Sequence, residues 1–301
     1  MYVYSLKKDN KIEKIKEVSF NYEREIQRIC EDNIRDIFGL ELVKSEFSIK
    51  KFRIDTLAFD PESKSFVIIE YKRDRNFSVV DQGYAYLSLL SQNQAEFILE
   101  YREKLKKDLS KSEVDWSQTK VIFVAPFFTP YQKQAINFKG FPIELWEIRR
   151  YENGVLIFNE IEPTDNAVSI EEFSNYKENK VFKEFKNYTE EEKLKWTQKE
   201  VKDIYYNINE YIMSLNGVRK KVNKFYIAFI RNYNFCDIII QKSNLKIYLN
   251  LKYGELYDYK NISRNVKGIG HLGNGEYEII VDEKTDLEYL FGLIKQSYEK
   301  N

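Results

Sequence analysis

The spacing of apolar residues predicts the first elements of the chain. Isoleucines recur at helical spacing through residues 20–38, and Gly39 follows as a stop signal. Residues 46–60 follow and are predicted to be extended. A polar turn at residues 61–64 then leads to an apolar run at residues 65–72. The pattern indicates an amphipathic helix followed by strands that a short turn pairs antiparallel.

The same reading continues to about residue 162. Residues 81–109 repeat the helical period, and residues 120–126 form an apolar run that ends in proline. Residues 141–148 and 154–161 are expected to be further strands. The order of helix, strands, helix and strand predicts an α/β domain over residues 1–162, with a mixed sheet flanked by helices.

The second half has a different pattern. Residues 163–195 are rich in charge and weakly periodic, which favours a linker. A helix is predicted from Val201, and strand-like segments follow at 224–230, 236–241, 245–251 and 276–281. Thr285 and Glu288 form a capping-box pattern before a closing helix. Residues 196–301 are therefore expected to be a smaller α+β domain.

Composition restricts the class of protein. Hydrophobic residues make up 43% of the 301 residues and charged residues 32%, which excludes wholesale disorder. The 48 basic side chains are balanced by 48 acidic ones, so nucleic-acid binding would need a local basic surface. Cys30 and Cys236 have no metal-ligand spacing and are expected in the core. No segment has the length and apolarity of a membrane span, and we expect a cytoplasmic protein.

Charged residues end the apolar strand at 65–72. Side chains alternate along a strand, so Glu70 and Lys72 share the face of Ile68. The preceding strand brings Asp55 close to them, and two converging carboxylates repel each other unless a cation lies between. Oxygen ligands of this kind suit Mg²⁺ or Mn²⁺, and Lys72 could orient a water beside the ion. The alternative is a solvated ion pair, because this chain is rich in Lys and Glu.

The neighbouring helices add candidates. At about 100° per residue, Glu23 falls on the apolar side of the first helix, whereas Glu25 and Glu31 are predicted to point to solvent. Gln82 and Tyr86, four residues apart, share one face of the next helix. The alternative for Glu23 is a frayed first turn of the helix, and the alternative for Gln82 and Tyr86 is that they simply cap the core.

These features together resemble the PD-(D/E)XK nuclease superfamily. The motif corresponds to Asp55 and then Glu70-Tyr71-Lys72, with Glu23 upstream and a Gln-x-x-x-Tyr pattern downstream. Ile54 stands where the superfamily name has Pro. The resemblance implies a restriction-endonuclease-like core, and the second half resembles a domain of unknown function that is often joined to such cores.

The resemblance also implies roles for individual residues. Asp55, Glu70 and the carbonyl of Tyr71 would hold Mg²⁺ or Mn²⁺, with Glu23 completing the shell directly or through water. Lys72 would position the attacking water. Gln82 and Tyr86 would contact the substrate backbone or orient Lys72. Flanking cations would supply the local positive surface, although they could equally form a solvated edge; these are Lys50, Lys51, Arg53, Arg73 and Arg75.

Residues 268–273 also match a motif, the G-x-G-x-x-G pattern of dinucleotide-binding sites. That fingerprint should follow a strand and open a helix, whereas here it precedes a predicted strand, so we reject it. His271, the only histidine, lies in this segment without a neighbouring metal ligand or nucleophile and is expected to have a surface role.

The sequence therefore predicts a metal-dependent endonuclease that acts on DNA, in restriction, repair or defence. A homodimer would suit the cleavage of both strands of a duplex. The alternative is a nucleic-acid-binding or scaffold protein that retains the nuclease fold without its chemistry. The presence of Asp55, Glu70 and Lys72 together favours the enzyme.

Overall fold

In a computed structural model of the protein, the residues described are 2–73, 78–138, 140–164, 166–168 and 188–301. Internal contacts divide the chain into two compact units, Met1–Asn187 and Tyr188–Asn301. The predicted linker at residues 163–195 lies largely outside the described residues, and the domain boundaries stay a prediction.

The first unit contains nine strands and five helices within the described residues. In chain order they are β1 (Val3–Leu6), β2 (Ile12–Ile15), β3 (Glu17–Val18), α1 (Glu23–Asp32), α2 (Ile34–Phe38), β4 (Glu41–Ile49), β5 (Phe52–Asp60), β6 (Ser65–Tyr71), α3 (Val79–Gln92), α4 (Gln94–Leu105), β7 (Lys120–Ala125), α5 (Pro130–Ala135), β8 (Ile143–Tyr151) and β9 (Leu156–Glu160). A short 3-10 turn, Trp116–Gln118, precedes β7.

The central sheet of this unit is mixed. Its strands lie in the order β3-β8-β7-β6-β5-β4, with β9 also pairing with β8. β6 and β7 pair in parallel, as do β7 and β8, whereas β4, β5 and β6 form an antiparallel meander. The α/β prediction for this half of the chain is confirmed.

Helices cover both faces of the sheet because both faces are apolar. Ile68 of β6 packs in one core with Leu87 and Leu90 of α3. Ile69, the next residue along β6, packs in a second core with Ile26 of α1. Successive residues of one strand therefore belong to different layers, as the pleat requires, and α1 and α3 lie on opposite faces.

Two predicted helices are each divided at an asparagine. The 20–38 helix is divided at Asn33, whose side-chain amide donates to the carbonyl of Ile29 at 2.9 Å. The 81–109 helix is divided at Asn93, which donates to the carbonyl of Leu89 at 2.7 Å. In both cases the side chain replaces a main-chain donor at the helix end.

The extended segment predicted at residues 46–60 is two strands. β4 and β5 pair from Ile49 opposite Phe52, with Lys50 and Lys51 as the turn between them. Lys50 has a φ of 53°, in the left-handed region. The turn contains no glycine, proline or asparagine to mark it, so the sequence pattern predicts one continuous extended segment where the structure has two strands.

The second unit is an antiparallel sheet with helices. Its elements are α6 (Glu190–Leu194), α7 (Lys199–Ser214), β10 (Arg219–Val222), β11 (Ile227–Ile230), β12 (Asn234–Ile240), β13 (Leu245–Leu249), β14 (Ser263–Asn265), β15 (Tyr277–Val281) and α8 (Leu287–Lys300). The strand order is β10-β11-β12-β13-β15-β14. Residues of α7 and α8, including Ile208 and Leu293, pack with β-strand residues such as Ile247 in a core of their own.

The capping box predicted at Thr285 is wrong. α8 starts one residue later than that pattern requires, with Asp286 at its N-cap accepting from the backbone N–H of Tyr289 at 3.2 Å. The Thr285 hydroxyl accepts from the backbone N–H of Asp282 instead, at 3.0 Å. A carboxylate is a strong N-cap and is favoured further by the helix dipole.

No helix in the described part of the chain is both long enough and apolar enough to cross a membrane.

Candidate functional site

The end of β6 carries the charged residues that the sequence singled out. Thr56 of β5 lies opposite Ile69 of β6, so Asp55 reaches the level of Glu70 and Tyr71. Its Oδ2 accepts a hydrogen bond from the backbone N–H of Tyr71 at 3.1 Å. The next backbone N–H, that of Lys72, donates to the carbonyl of Val124 in β7 at 2.9 Å. The structure therefore brings Asp55, Glu70 and Lys72 together, and the neighbouring strands fix their backbone.

Glu70 is a buried carboxylate, with 4% of its surface exposed. Its Oε1 accepts from Lys72 Nζ at 2.7 Å and from Gln82 Nε2 at 2.7 Å. Its Oε2 accepts from the hydroxyl of Tyr86 at 2.9 Å. Burial of an ionised group requires such partners, and α3 supplies two of the three. Gln82 and Tyr86 thus hold the carboxylate that pairs with Lys72.

Helix α3 is oriented to make these contacts. Ser78 caps its N-terminus by accepting from the backbone N–H of Asp81 at 3.2 Å. Gln82 and Tyr86 follow one turn apart, and Gln82 Nε2 also lies 3.1 Å from the Tyr86 hydroxyl. Burial, then the negative charge of Glu70, raises the pKa of Tyr86. This phenol therefore stays protonated and able to donate.

The surroundings of Asp55 disfavour the negative charge on its carboxyl group. Burial, and secondly the negative charge of Glu70, raise the pKa of its carboxyl from 3.8 to about 7. The hydrogen bond from Tyr71 and the positive charge of Lys72 act in the opposite direction but do not cancel the increase. A carboxyl with this pKa in the company of a second carboxylate is the arrangement that a bound cation relieves.

Glu23 lies near these residues but in another environment. It is the first residue of α1, on the sheet face opposite α3, and its side chain is exposed. Its Oε1 accepts from the backbone N–H of Arg73, directly after Lys72, at 3.0 Å. Among the residues described, no group of three or more His, Cys, Asp or Glu is arranged to hold a metal ion.

The predicted flanking cations differ in their surroundings. Lys50 and Lys51 are exposed at the β4–β5 turn. Arg53 forms an ion pair with Glu46 of β4, and the guanidinium of Arg73 donates to the carbonyl of Asn21 at 2.6 Å. Arg75 lies outside the described residues. The phosphate contacts expected of these residues stay predictions.

A polar network on the α1 side was missed by the sequence analysis. Glu31 accepts from the hydroxyl of Thr56, and that hydroxyl lies 3.1 Å from the hydroxyl of buried Tyr71. Gln27 donates to Glu31 Oε1 at 3.1 Å and to the carbonyl of Asp55 at 3.1 Å. The prediction that Glu31 points to solvent is wrong, because Thr56 gives it a partner on the sheet. The polar Thr56 within an apolar strand was the available signal.

Residues 268–273 connect β14 to β15, so the glycine pattern joins two strands and opens no helix. His271 stacks on Tyr248 with ring centroids 5.2 Å apart. Its two ring nitrogens lie 2.7 Å and 2.9 Å from the backbone oxygens of Ile269 and Gly275. The two cysteines, Cys30 and Cys236, are free and buried, as predicted.

Comparison with known proteins assigns the family. Residues 190–301 match the model described as Domain of unknown function (DUF5655). The whole chain is 46% identical over 300 residues to an uncharacterized protein of Haemophilus influenzae, and the alignment covers 99% of each protein. The chain belongs to the same family as that protein.

Solved structures give weaker similarities. A repair endonuclease from Pyrococcus abyssi matches 44% of this chain and 49% of its own, at 19% identity and a TM-score of 0.26. A complex of EndoMS with dsDNA matches 44% of this chain and 47% of its own, at 19% identity and a TM-score of 0.27. This chain therefore spans about half of each neighbour, and similarity at this level carries no argument about its activity.

Proposed function

We propose that this protein is a divalent-metal-dependent nuclease that hydrolyses phosphodiester bonds in DNA. The observation that carries the proposal is the pairing of Asp55, whose pKa is raised to about 7, with buried Glu70 on the adjacent strand. Carboxyl groups with strongly perturbed pKa values cluster at functional sites. Lys72, 2.7 Å from Glu70, supplies the cation that hydrolysis of a phosphodiester needs.

The residues present fit Mg²⁺ or Mn²⁺. Mg²⁺ is usually held by one or two carboxylates while it retains several waters and binds substrate phosphate. Asp55 and Glu70 would provide the carboxylates, and the carbonyl of Tyr71, the residue directly after Glu70, would be a further ligand. Among the described residues, only the hydroxyl of Tyr86 donates to Glu70 Oε2, which leaves this oxygen a lone pair for a metal. Glu23 would contribute through water, since its side chain already accepts from Arg73.

When bound, the metal would polarise the phosphate and lower the pKa of a coordinated water. The side chains and backbone of the protein would stabilise charge and position the reacting groups. Lys72 stabilises negative charge that develops on the phosphate and orients the attacking water. Gln82 and Tyr86 hold Glu70 in one rotamer, and the Tyr71 amide does the same for Asp55. Because strands fix these groups, little reorganisation accompanies the reaction.

The order of these residues supports a PD-(D/E)XK assignment, with Asp55 on one strand and Glu70-Tyr71-Lys72 on the next. The mixed sheet with helices on both faces is compatible with a restriction-endonuclease-like core. A role in restriction, repair or defence would follow, in the cytoplasm, with a homodimer if both strands of a duplex are cut.

Cleavage of plasmid and single-stranded DNA with Mg²⁺ or Mn²⁺ tests the proposal. Asp55→Asn, Glu70→Gln and Lys72→Ala should each lower the rate by about 100-fold or more, while circular dichroism shows the native fold. Lys111→Ala, at an exposed position outside the candidate site, is the matched control and should cut like wild type. A Lys72→Ala protein that cuts as fast as wild type would refute the assigned mechanism.

The second candidate is a nucleic-acid-binding or scaffold protein without catalysis. It predicts DNA binding with no cleavage under any divalent metal. The raised pKa of Asp55 favours the enzyme, because a purely structural role is served better by a neutral or fully paired side chain.

A further inference from the structure

A polar cleft of about 300 Å³ lies between α1 and β4. Its helical wall is formed by residues spaced three to four apart, which places them along one stripe of α1, and β4 forms the opposite wall. The lining residues are Arg24, Gln27, Arg28, Glu31, Ser45 and Glu46. A volume of this size is at the lower end for sites that bind small ligands or single groups of a polymer.

The cleft contacts the backbone of the strand that carries Asp55, from the α1 face of the sheet. Gln27, which is 8% exposed, donates to the backbone carbonyl of Asp55 at 3.1 Å and to Ser45 Oγ at 3.2 Å. Glu46 is close enough for its charge to contribute to the raised pKa of Asp55. At the start of α1, Glu23 accepts from the amide that follows Lys72. The cleft and the start of α1 therefore contact the strand ends that carry Asp55 and Lys72, from the face opposite α3.

The cleft is lined by two arginines and two glutamates, and the glutamates have partners of their own. Glu31 is engaged by Thr56 and Gln27, and Glu46 by Arg53. The guanidinium of Arg24 has no ion pair or hydrogen bond with other described residues. Nε of Arg28 lies 3.7 Å from Oδ2 of Asp32, and 84% and 68% of the two side chains are exposed. An exposed ion pair of this kind contributes little to stability.

We propose that this cleft binds the sugar-phosphate backbone of the nucleic-acid strand next to the scissile phosphate, with Arg24 and Arg28 each contacting a phosphate. The inference rests on the proposed nuclease function. The two arginines are one helical turn apart, with Cβ atoms about 6 Å from each other, so a polymer with repeated charges can engage both. Guanidinium groups bind phosphate with two hydrogen bonds and are the residues suited to this contact.

Salt-dependent binding in EDTA tests the cleft separately from catalysis. The probes are a labelled single-stranded DNA and an RNA of the same sequence. On a single strand each phosphate contact contributes about 0.7 to the slope of log affinity against log salt. The double variant Arg24→Ala/Arg28→Ala should lower that slope by about 1.4. Arg24→Lys/Arg28→Lys should retain most of it, and so should the control Arg35→Ala, on α2.

The outcomes separate the two proposals. The informative probe is the one, DNA or RNA, that wild type cuts. A lower salt slope for Arg24→Ala/Arg28→Ala on that probe supports phosphate binding in the cleft. An unchanged slope in the double alanine variant overturns it, and the nuclease stands if wild type still cleaves. If wild type neither binds nor cleaves either single strand but cuts plasmid DNA, the cleft falls and the nuclease stands; if it cuts no DNA at all, both proposals fall together.

Discussion

At the residue scale, strand alternation is sufficient to find the central pair. Glu70 and Lys72 are two residues apart at the end of an apolar strand, so they lie on the same face. The short turn after β5 brings Asp55 beside them. The sequence could not predict where Glu31 points, because that depends on Thr56 facing α1 across the sheet. It also did not show that Gln82 and Tyr86 bind Glu70, since the distance between α3 and β6 is set by tertiary packing.

The raised pKa of Asp55 predicts a pH-dependent effect on stability. The folded protein binds this proton up to about pH 7, whereas the unfolded chain releases it near 3.8. Between these values the folded state binds more protons, so the contribution of Asp55 to stability falls as pH rises. In EDTA, Asp55→Asn should therefore raise Tm relative to wild type at about pH 8, by roughly 2–4 °C for each kcal/mol, with little gain at about pH 4.

The control for this experiment is Asp9→Asn, at an exposed position of the β1–β2 turn. Its Tm difference from wild type should not grow with pH in the same way. A difference for Asp55→Asn that is the same at both pH values would contradict the burial and repulsion assigned to Asp55.

Removal of the Tyr86 hydroxyl should weaken both the fold and the site. Tyr86→Phe takes one donor from buried Glu70, at a cost of about 1–3 kcal/mol in the free energy of unfolding. Urea denaturation measures that cost, and Tyr131→Phe, whose ring is 88% exposed, is the control. If Tyr86→Phe is as stable and active as wild type, the hydroxyl is not needed to hold Glu70.

At the element scale, the types of element were predicted better than their limits. Apolar periodicity identified the helical segments, but Asn33 and Asn93 divide them, and their side-chain hydrogen bonds to carbonyls four residues earlier leave no mark on periodicity. The N-terminal hairpin of β1 and β2 was missed because each strand has only four residues and its side chains are mostly exposed. A run of four residues is at the lower limit of what alternation can indicate.

Close packing of α3 against the sheet gives a prediction at Gly83. A Cβ added there would lie 2.3 Å from Cδ1 of Ile143 in β8, a buried side chain that would have to shift. Overpacking of this kind costs about 1–3 kcal/mol, which exceeds the gain of about 0.5–1 kcal/mol from alanine over glycine in a helix. Gly83→Ala should therefore destabilise the protein and lower nuclease activity by displacing neighbouring Gln82. Ile143→Val should restore part of both, because it shortens the obstructing side chain.

Gly292 provides the matched control within α8. A Cβ at this position meets no atom within 4 Å, so Gly292→Ala should stabilise its helix by about 0.5–1 kcal/mol. Equal effects of the two substitutions on the free energy of unfolding would contradict the tight contact between α3 and β8.

At the scale of the whole molecule, the change of pattern along the chain predicted two different folds. The first half alternates helices and strands and contains a mixed sheet; the second half has clustered strands and contains an antiparallel one. Net charge was uninformative about function, because equal numbers of acidic and basic residues conceal local arrangements such as the arginines of α1. Such surfaces depend on which residues the fold places together.

The second unit should fold alone. Its core is built from its own residues on α7, α8 and the β10–β15 sheet, and residues 188–301 are long enough for an independent domain. Expressed separately, this fragment should give a cooperative thermal transition and dispersed NMR signals. A fragment that stays unfolded would show that its core needs the first unit.

Anomalous diffraction from a crystal of the protein soaked in Mn²⁺ tests most directly whether Asp55 and Glu70 hold a divalent metal ion. A peak should lie between the carboxylates of β5 and β6, with Asp55 and Glu70 oxygens about 2.1 Å from the ion, and should be absent in Asp55→Asn. A well-ordered crystal at saturating Mn²⁺ that shows no peak beside these two residues would contradict this prediction.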